Sequence, residues 1–204
     1  MRLSGRILWL TDDSDLLAKQ LRGEDPKLSP ADPPPLHFGV NTDGMISGAA
    51  CTLGYTGEVL GPYFLENFKD TVVKRGVLDG GFQVVVGGDA YGSGSSREVA
   101  VVAHQGAGIE LVVARSFQRI FHENMVYSGL PFTTDFSVVQ QLQDGAQIEL
   151  GALCDALPPF FQEVAQSGGL MAYGTNLLAG EVQPTYATER SAAPMNCIEK
   201  IAAK

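Results

Sequence analysis

Two short apolar runs, Phe82–Val86 (FQVVV) and Ile109–Ala114 (IELVVA), constrain this chain more than any other feature. Valine-rich runs of that length without strict alternation mark strands buried on both faces. Between them lie a glycine-rich turn, GGDAYGSGSSRE, and an apolar helix expected from about Arg97 to Gln105. A further helix, SFQRIFHENMVYSG, is expected to close at Gly129, because glycine adopts the left-handed conformation that ends helices. Strand, glycine turn, helix, strand, helix is a βαβα unit. Two strands joined through a helix run parallel, so the expected class is α/β, with a mixed, partly parallel sheet flanked by helices.

The remaining segments are read around that unit. Arg6 to Leu10 reads as a strand, and TDDSDLLAKQLRGED as a helix that Thr11, Asp12 or Ser14 caps, with Leu16, Leu17 and Leu21 on one face. Pro26 to Pro35 holds five of the eleven prolines, which excludes helix and central strand and leaves an exposed connector. Leu36 to Gly61 reads as strand and loop. Pro62 to Arg75 reads as a helix on the spacing of Phe64, Leu65, Phe68 and Val72. Beyond Pro131 a helix is expected near Ser137 to Gln143, a strand at Gln147 to Leu150 and a helix from Pro159 to Gly168. The organisation expected is an N-terminal strand–helix extension with its proline-rich connector over residues 1–35, a domain over 36–180, and a polar tail over 181–204 that turns helical at its end.

Composition narrows the function. Of the 204 residues 45% are hydrophobic and 18% charged, enough for a packed core. Lys plus Arg total 14 against 23 Asp plus Glu, a net charge of -9, which argues against a nucleic-acid partner. No apolar run is long enough to span a bilayer, and the N-terminus lacks the apolar core of a signal peptide, so no membrane role and a cytoplasmic location are expected. Cys51, Cys154 and Cys197 are isolated and odd in number, fitting free thiols in a reducing compartment; no CxxC pair supports a metal site.

The chemistry lies in Gly92-Ser93-Gly94-Ser95-Ser96-Arg97-Glu98, between a buried strand and a helix. Glycine lets the backbone turn sharply and approach a ligand. The N–H groups that open a helix point to one spot, where the macrodipole favours an anion. Two hydroxyls and a guanidinium capable of a bidentate grip on carboxylate are added to them. The turn is neither a P-loop nor a dinucleotide fingerprint, and a nucleophile elbow would need glycine where Arg97 stands. A carboxylate or phosphate is the ligand class it suggests.

The block from Tyr91 to Pro131 resembles the small-subunit, or swivel-domain, signature of the aconitase superfamily. The resemblance rests on Gly94 to Glu98, the strand ending at Ala114, Ser116-Phe117, Ile120-Phe121, Asn124 and Gly129-Leu130-Pro131. Upstream, Thr42-Asp43-Gly44-Met45-Ile46-Ser47 resembles the family's TD-x-I-[SP] segment. The small subunits of isopropylmalate dehydratase match in size. The resemblance implies a swivelling β/β/α domain and a part in dehydrating and rehydrating a 2-hydroxy di- or tricarboxylic acid. It implies that Ser95 is the general base and that Asp43 supports the proton relay. It implies further that Ser96 and Arg97, with Gly94, Thr42 and Tyr55, bind substrate. Glu98 is read as structural, Asn124 and Phe117 as packing and cap residues, and His37, His104 and His122 as ordinary histidines.

The resemblance also implies a [4Fe-4S] cluster on a large catalytic partner, none on this chain, and hence an isolated chain that is inactive and iron-free. Three positions depart from the family pattern. Val99 stands where histidine is usual, Ser47 where proline is, and Tyr55 about where members that handle further carboxylates carry arginine. The last of these, the substituted substrate loop, motivates the alternative reading, a non-catalytic carboxylate-binding or regulatory module on the same fold. Finally, Pro194 to Ala202 (PMNCIEKIA) resembles the opening of the family's large part, as though the tail began a fused or neighbouring catalytic component; the alternative is a plain C-terminal amphipathic helix.

Overall fold

The structure is a computed structural model that describes residues 3, 5–69, 77, 80–154 and 157–183. Four strands, β1 (Arg6–Trp9), β2 (Phe82–Gly87), β3 (Leu111–Ala114) and β4 (Phe132–Thr133), form one sheet in the order β1-β2-β3-β4. All three pairings are parallel among the described residues, where a mixed sheet was expected. The register sets Val84 against Leu111, Val85 against Val112 and Val86 against Val113.

Successive residues of each strand enter different layers. Leu8, Val85, Val112 and Ala114 face a core completed by Leu17, Met45, Ala100, Val101, Phe121 and Met125. Trp9, Val84, Val86, Leu111 and Val113 face the other side, against Val138 and Val139. Burial on both faces is why these runs lack the alternation of a half-exposed strand. The covering helices are α1 (Ser14–Leu21), α4 (Glu98–Gly106), α5 (Arg119–Ser128) and α6 (Ser137–Gln143). Beside them α7 (Pro159–Gln166) and α8 (Leu170–Leu178) pack on α5 through Val126, Val164 and Tyr173. Gly129 ends α5 at φ 68° as its position predicts.

The differences from the sequence reading have local causes. β1 belongs to the sheet rather than to an extension, and Leu17 of α1 lies in the core. The cap of α1 is Asp13, which accepts from the N–H groups of Asp15 and Leu16 at 3.0 Å each. Thr11 and Asp12 are spent instead on the end of the proline-rich connector: Thr11 Oγ1 donates to the Pro35 carbonyl (2.9 Å) and Asp12 accepts at its carboxylate from His37 Nδ1 (2.6 Å). That bond, with Lys69 beside it, holds the Asp12 carboxyl below its ordinary value.

Leu36 to Gly61 contains no strand. It holds two single-turn helices, α2 (Thr42–Met45) and α3 (Gly57–Leu60), and a 3-10 turn at Ala50–Thr52. The helix expected over Pro62–Arg75 is a 3-10 turn at Gly61–Tyr63, after which Leu65 takes φ 60° and Lys69 φ 48°. Leu65 gives its N–H to the Met45 carbonyl (2.7 Å) and so braces α2, while Phe64, Glu66 and Phe68 bond back three residues in separate turns; residues 70–75 lie outside the described ones. Gln147 to Leu150 is not a strand, since β4 holds the place beside β3; Ile148 of the stretch packs on the core. The tail from 184 onward, with the segment that resembles the start of a large part, also lies outside the described residues.

Candidate functional site

All four parallel strands point their carboxyl ends to one edge of the sheet, where ligands bind in open α/β sheets. Two loops meet there. The first follows the connector: His37 N–H donates to the Leu10 carbonyl and Gly39 N–H to the Asp89 carbonyl, both at 2.8 Å, which fixes the approach to α2. The second is the turn after β2. Gly92 N–H donates to the Val40 carbonyl (2.9 Å), Ser93 Oγ to the Gly39 carbonyl (2.9 Å) and Thr42 N–H to the Ser93 carbonyl (2.9 Å).

Glycine is required twice in this turn. Gly92 has φ 80°, and a Cβ there would lie 2.1 Å from the ring of Phe121. Gly94 has φ 93°, and its Cβ would lie 3.2 Å from Thr42 Oγ1. The turn can cross Thr42 closely only because no side chain stands at Gly94.

Ser95, Ser96 and Gly94 are exposed, and Arg97 is the residue before α4. The N-cap residue Arg97 makes no side-chain cap bond to α4; Ala100 N–H turns back to the Arg97 carbonyl (3.2 Å), which leaves the N–H groups of Glu98 and Val99 to face the turn. Arg97 Nη1 forms an ion pair with Asp43 Oδ1 and donates to the Ile46 carbonyl (3.2 Å). Asp43 is not a helix cap: Asn41 caps α2 by accepting from Gly44 N–H (2.6 Å), which leaves the Asp43 carboxylate free to meet the arginine. The side chains are 27% and 63% exposed for Arg97 and Asp43. An exposed ion pair is worth about 0–1 kcal/mol, so the Asp43 contact opposes a competing carboxylate only weakly. A ligand carboxylate therefore competes for Arg97 on favourable terms.

Thr42 is placed differently from a ligand-contacting residue. It is 1% exposed, and its hydroxyl bonds to Ser95. Tyr55 is 79% exposed and lines a cavity of about 390 Å³ with Cys51, Arg97, Glu98, Val99 and Val102. The structure thus gathers Thr42, Asp43, Ser95 and Arg97 at one point, sets Ser96 and Gly94 on the same turn, and puts Tyr55 across a cavity from them. Among the described residues no group of three or more His, Cys, Asp or Glu side chains is arranged to hold a metal ion.

Sequence reasoning overlooked several contributors. Asn41 precedes Thr-Asp-Gly at the usual spacing of an N-cap, a signal that was available. The bond of His37 to Asp12 joins residues 25 apart, and no periodicity reveals it. His104 lies fully buried, with Nε2 bonded to Tyr91 Oη, at the far end of the helix that Arg97 begins.

Comparison with known proteins gives concordant results. The sequence model of the Aconitase C-terminal domain family matches residues 68–135. The isopropylmalate/citramalate isomerase small subunit of Methanocaldococcus jannaschii is 32% identical over 150 residues, covering 67% of this chain and 88% of that protein. The 3-isopropylmalate dehydratase small subunit of Oleidesulfovibrio alaskensis is 33% identical over 159 residues, covering 71% and 86%. A crystal structure of 3-isopropylmalate dehydratase from Methanocaldococcus jannaschii superposes with a TM-score of 0.54 at 24% identity, over 71% of this chain and 92% of that one, a likeness of fold. No helix among the described residues is long and apolar enough to cross a membrane.

Proposed function

The chain belongs to the isopropylmalate dehydratase small-subunit family, and from that premise we propose that it is the swivel component of a hydro-lyase that dehydrates and rehydrates a 2-hydroxy di- or tricarboxylic acid. The observation that carries the reading is the pairing on one open turn of a hydroxyl, Ser95, with a guanidinium, Arg97, at an uncapped helix start. In this reading Arg97 and Ser96 hold a substrate carboxylate with the first-turn amides of α4. Ser95 takes the proton from the substrate carbon on dehydration and returns it on hydration. A serine oxygen is a weak base, and the same amides and guanidinium stabilise it in its deprotonated form. Asp43 holds Arg97 until substrate arrives, and the cavity beside Tyr55 receives the part of the substrate that differs between family members.

The reading requires a large partner, as the small-subunit names of the relatives imply. A [4Fe-4S] cluster on that partner would supply the Lewis acid for the leaving hydroxyl. On this reading the residues of this chain bind the substrate and move its proton. The cytoplasm is the compartment proposed.

Reconstitution tests this. The full chain is mixed with its large component and screened against 2-hydroxy diacids by absorbance of the unsaturated product. Ser95→Ala is expected to lower kcat by on the order of a hundredfold to ten-thousandfold, the range for a lost general base, with a smaller effect on binding. Carboxylate binding without turnover in the wild-type complex would favour the non-catalytic module instead.

A further inference from the structure

We propose that Thr42 is the positioning residue for Ser95: its buried hydroxyl fixes the Ser95 backbone and donates to the Ser95 oxygen when that oxygen is deprotonated. The proposal rests on the reading of Ser95 as a base. Thr42 Oγ1 accepts from the Ser95 N–H at 3.0 Å, lies 2.9 Å from Ser95 Oγ and 3.2 Å from the Ser95 carbonyl oxygen. One hydroxyl therefore meets three polar atoms of one residue that stands 53 positions away.

Hydrogen accounting gives the arrangement its meaning. Thr42 has a single hydroxyl hydrogen and two acceptors for it, both on Ser95. While Ser95 is protonated, Thr42 can donate to the carbonyl and accept from the Ser95 hydroxyl. Once Ser95 is an alkoxide it has no hydrogen to give, and the Thr42 hydrogen turns to it across the shorter of the two distances. The swing is a rotation about one bond and needs no movement of the backbone. It also keeps a buried hydroxyl satisfied in both states, which matters because an unpaired buried donor destabilises the fold.

Thr42 is held for this task from every side. Its N–H bonds to the Ser93 carbonyl, its carbonyl accepts from Ile46 N–H (3.0 Å), and Asn41 caps its helix. Its methyl-bearing side chain is 1% exposed, so a ligand does not reach it directly. Ser93, the other hydroxyl near the turn's start, is committed to the Gly39 carbonyl. The sequence reading placed Thr42 against substrate; its geometry directs it to Ser95 instead.

Two measurements test the proposal. In the full chain alone, amide hydrogen exchange at Ser95 is followed by NMR. Thr42→Val, which keeps the shape and removes the hydroxyl, is expected to speed that exchange by about tenfold, the loss of one net hydrogen bond, and Thr42→Ser to restore it. In the reconstituted complex, Thr42→Val is expected to lower kcat with KM nearly unchanged and to move the ascending limb of the kcat–pH profile for dehydration, which the base sets, up by about one to two units, the equivalent of one hydrogen bond to a charged oxygen. Thr42→Ser should again restore both, and in a Ser95→Ala background Thr42→Val should cost nothing more. Unchanged exchange at Ser95, an unshifted pH profile, or failure of serine to rescue overturns the proposal. Should Thr42→Val not fold, the wild-type chain supplies the test: a slowly exchanging Thr42 hydroxyl proton with cross-peaks to Ser95 supports it, and absence of that signal sinks it. A wild-type complex that turns over no hydroxy acid removes the base reading and the kinetic half of the proposal with it, while exchange at Ser95 still decides the positioning half.

Discussion

The phenol oxygen of Tyr91 lies 2.7 Å from Nε2 of His104, with both side chains out of solvent. His104 Nδ1 lies 2.7 Å from the Ala100 carbonyl, which can only accept, so Nδ1 carries the hydrogen and Nε2 accepts from Tyr91. Phe64 and Phe121 pack on the imidazole at centroid distances of 4.1 and 5.7 Å. The pair ties the residue before the Gly92 turn to the helix that follows it, and so fixes the frame on which Ser95 and Arg97 stand. Tyr91→Phe leaves Nε2 without a donor in a place water does not reach. The expected loss is about 1–3 kcal/mol of folding stability, read from the denaturant midpoint at pH 7.

Acid weakens the fold through the same histidine. Burial lowers the His104 pKa from 6.5 to about 4. Between those values the unfolded chain binds a proton at this site and the folded chain does not, so stability is full above pH 6.5 and falls as pH drops toward 4. The difference amounts to on the order of 3 kcal/mol across the window. His122, half-buried and also shifted down by burial, acts in the same direction. Denaturant melts at pH 7 and pH 4.5 check this: a midpoint independent of pH would refute it, and His104→Leu should flatten the dependence.

The parts of the fold that are visible in the sequence are those whose signal is local. FQVVV and the LVVA of IELVVA sit as strands because their neighbours on both faces are apolar, and α6 falls on Ser137–Gln143 as expected. The site is visible for the same reason, since Gly94 to Arg97 are contiguous. The region from Leu36 to Lys69 is not. Single-turn helices have no period to detect, and its bonds run from Leu65 to Met45, Thr42 to Ser95 and His37 to Asp12. β4, two residues long, and α8, which starts directly after the Gly168-Gly169 break, lack such signals too.

Glycine at 106 is a steric requirement of the contact between α3 and the C-terminal end of α4. A Cβ there would come within 2.1 Å of the Gly57 carbonyl oxygen, and one on Gly61 within 2.3 Å of the Gly106 carbonyl group. Backbone meets backbone, so no side chain can swing aside. Gly106→Ala is expected to destabilise the fold by about 1–3 kcal/mol by overpacking. It should also push α3 away from α4 and raise KM in the reconstituted complex. Gly151→Ala, with nothing within 4 Å of the new carbon, is the control and should change stability by less than about 0.5 kcal/mol.

Arg97 and Asp43 separate binding from chemistry. Arg97→Lys keeps the charge and loses the planar fork, so KM is expected to rise by about tenfold to a hundredfold, the worth of a charged hydrogen-bond pair, with a smaller change in kcat. Asp43→Asn removes an exposed ion pair and should alter folding stability by less than about 1 kcal/mol. It should lower KM, because substrate no longer has to displace Asp43 while the Ile46 carbonyl still aims the guanidinium. Steady-state kinetics of the reconstituted complex, paired with thermal melts of each variant, distinguish this from a purely structural turn. In that case both substitutions would move the melting temperature and leave KM where it was.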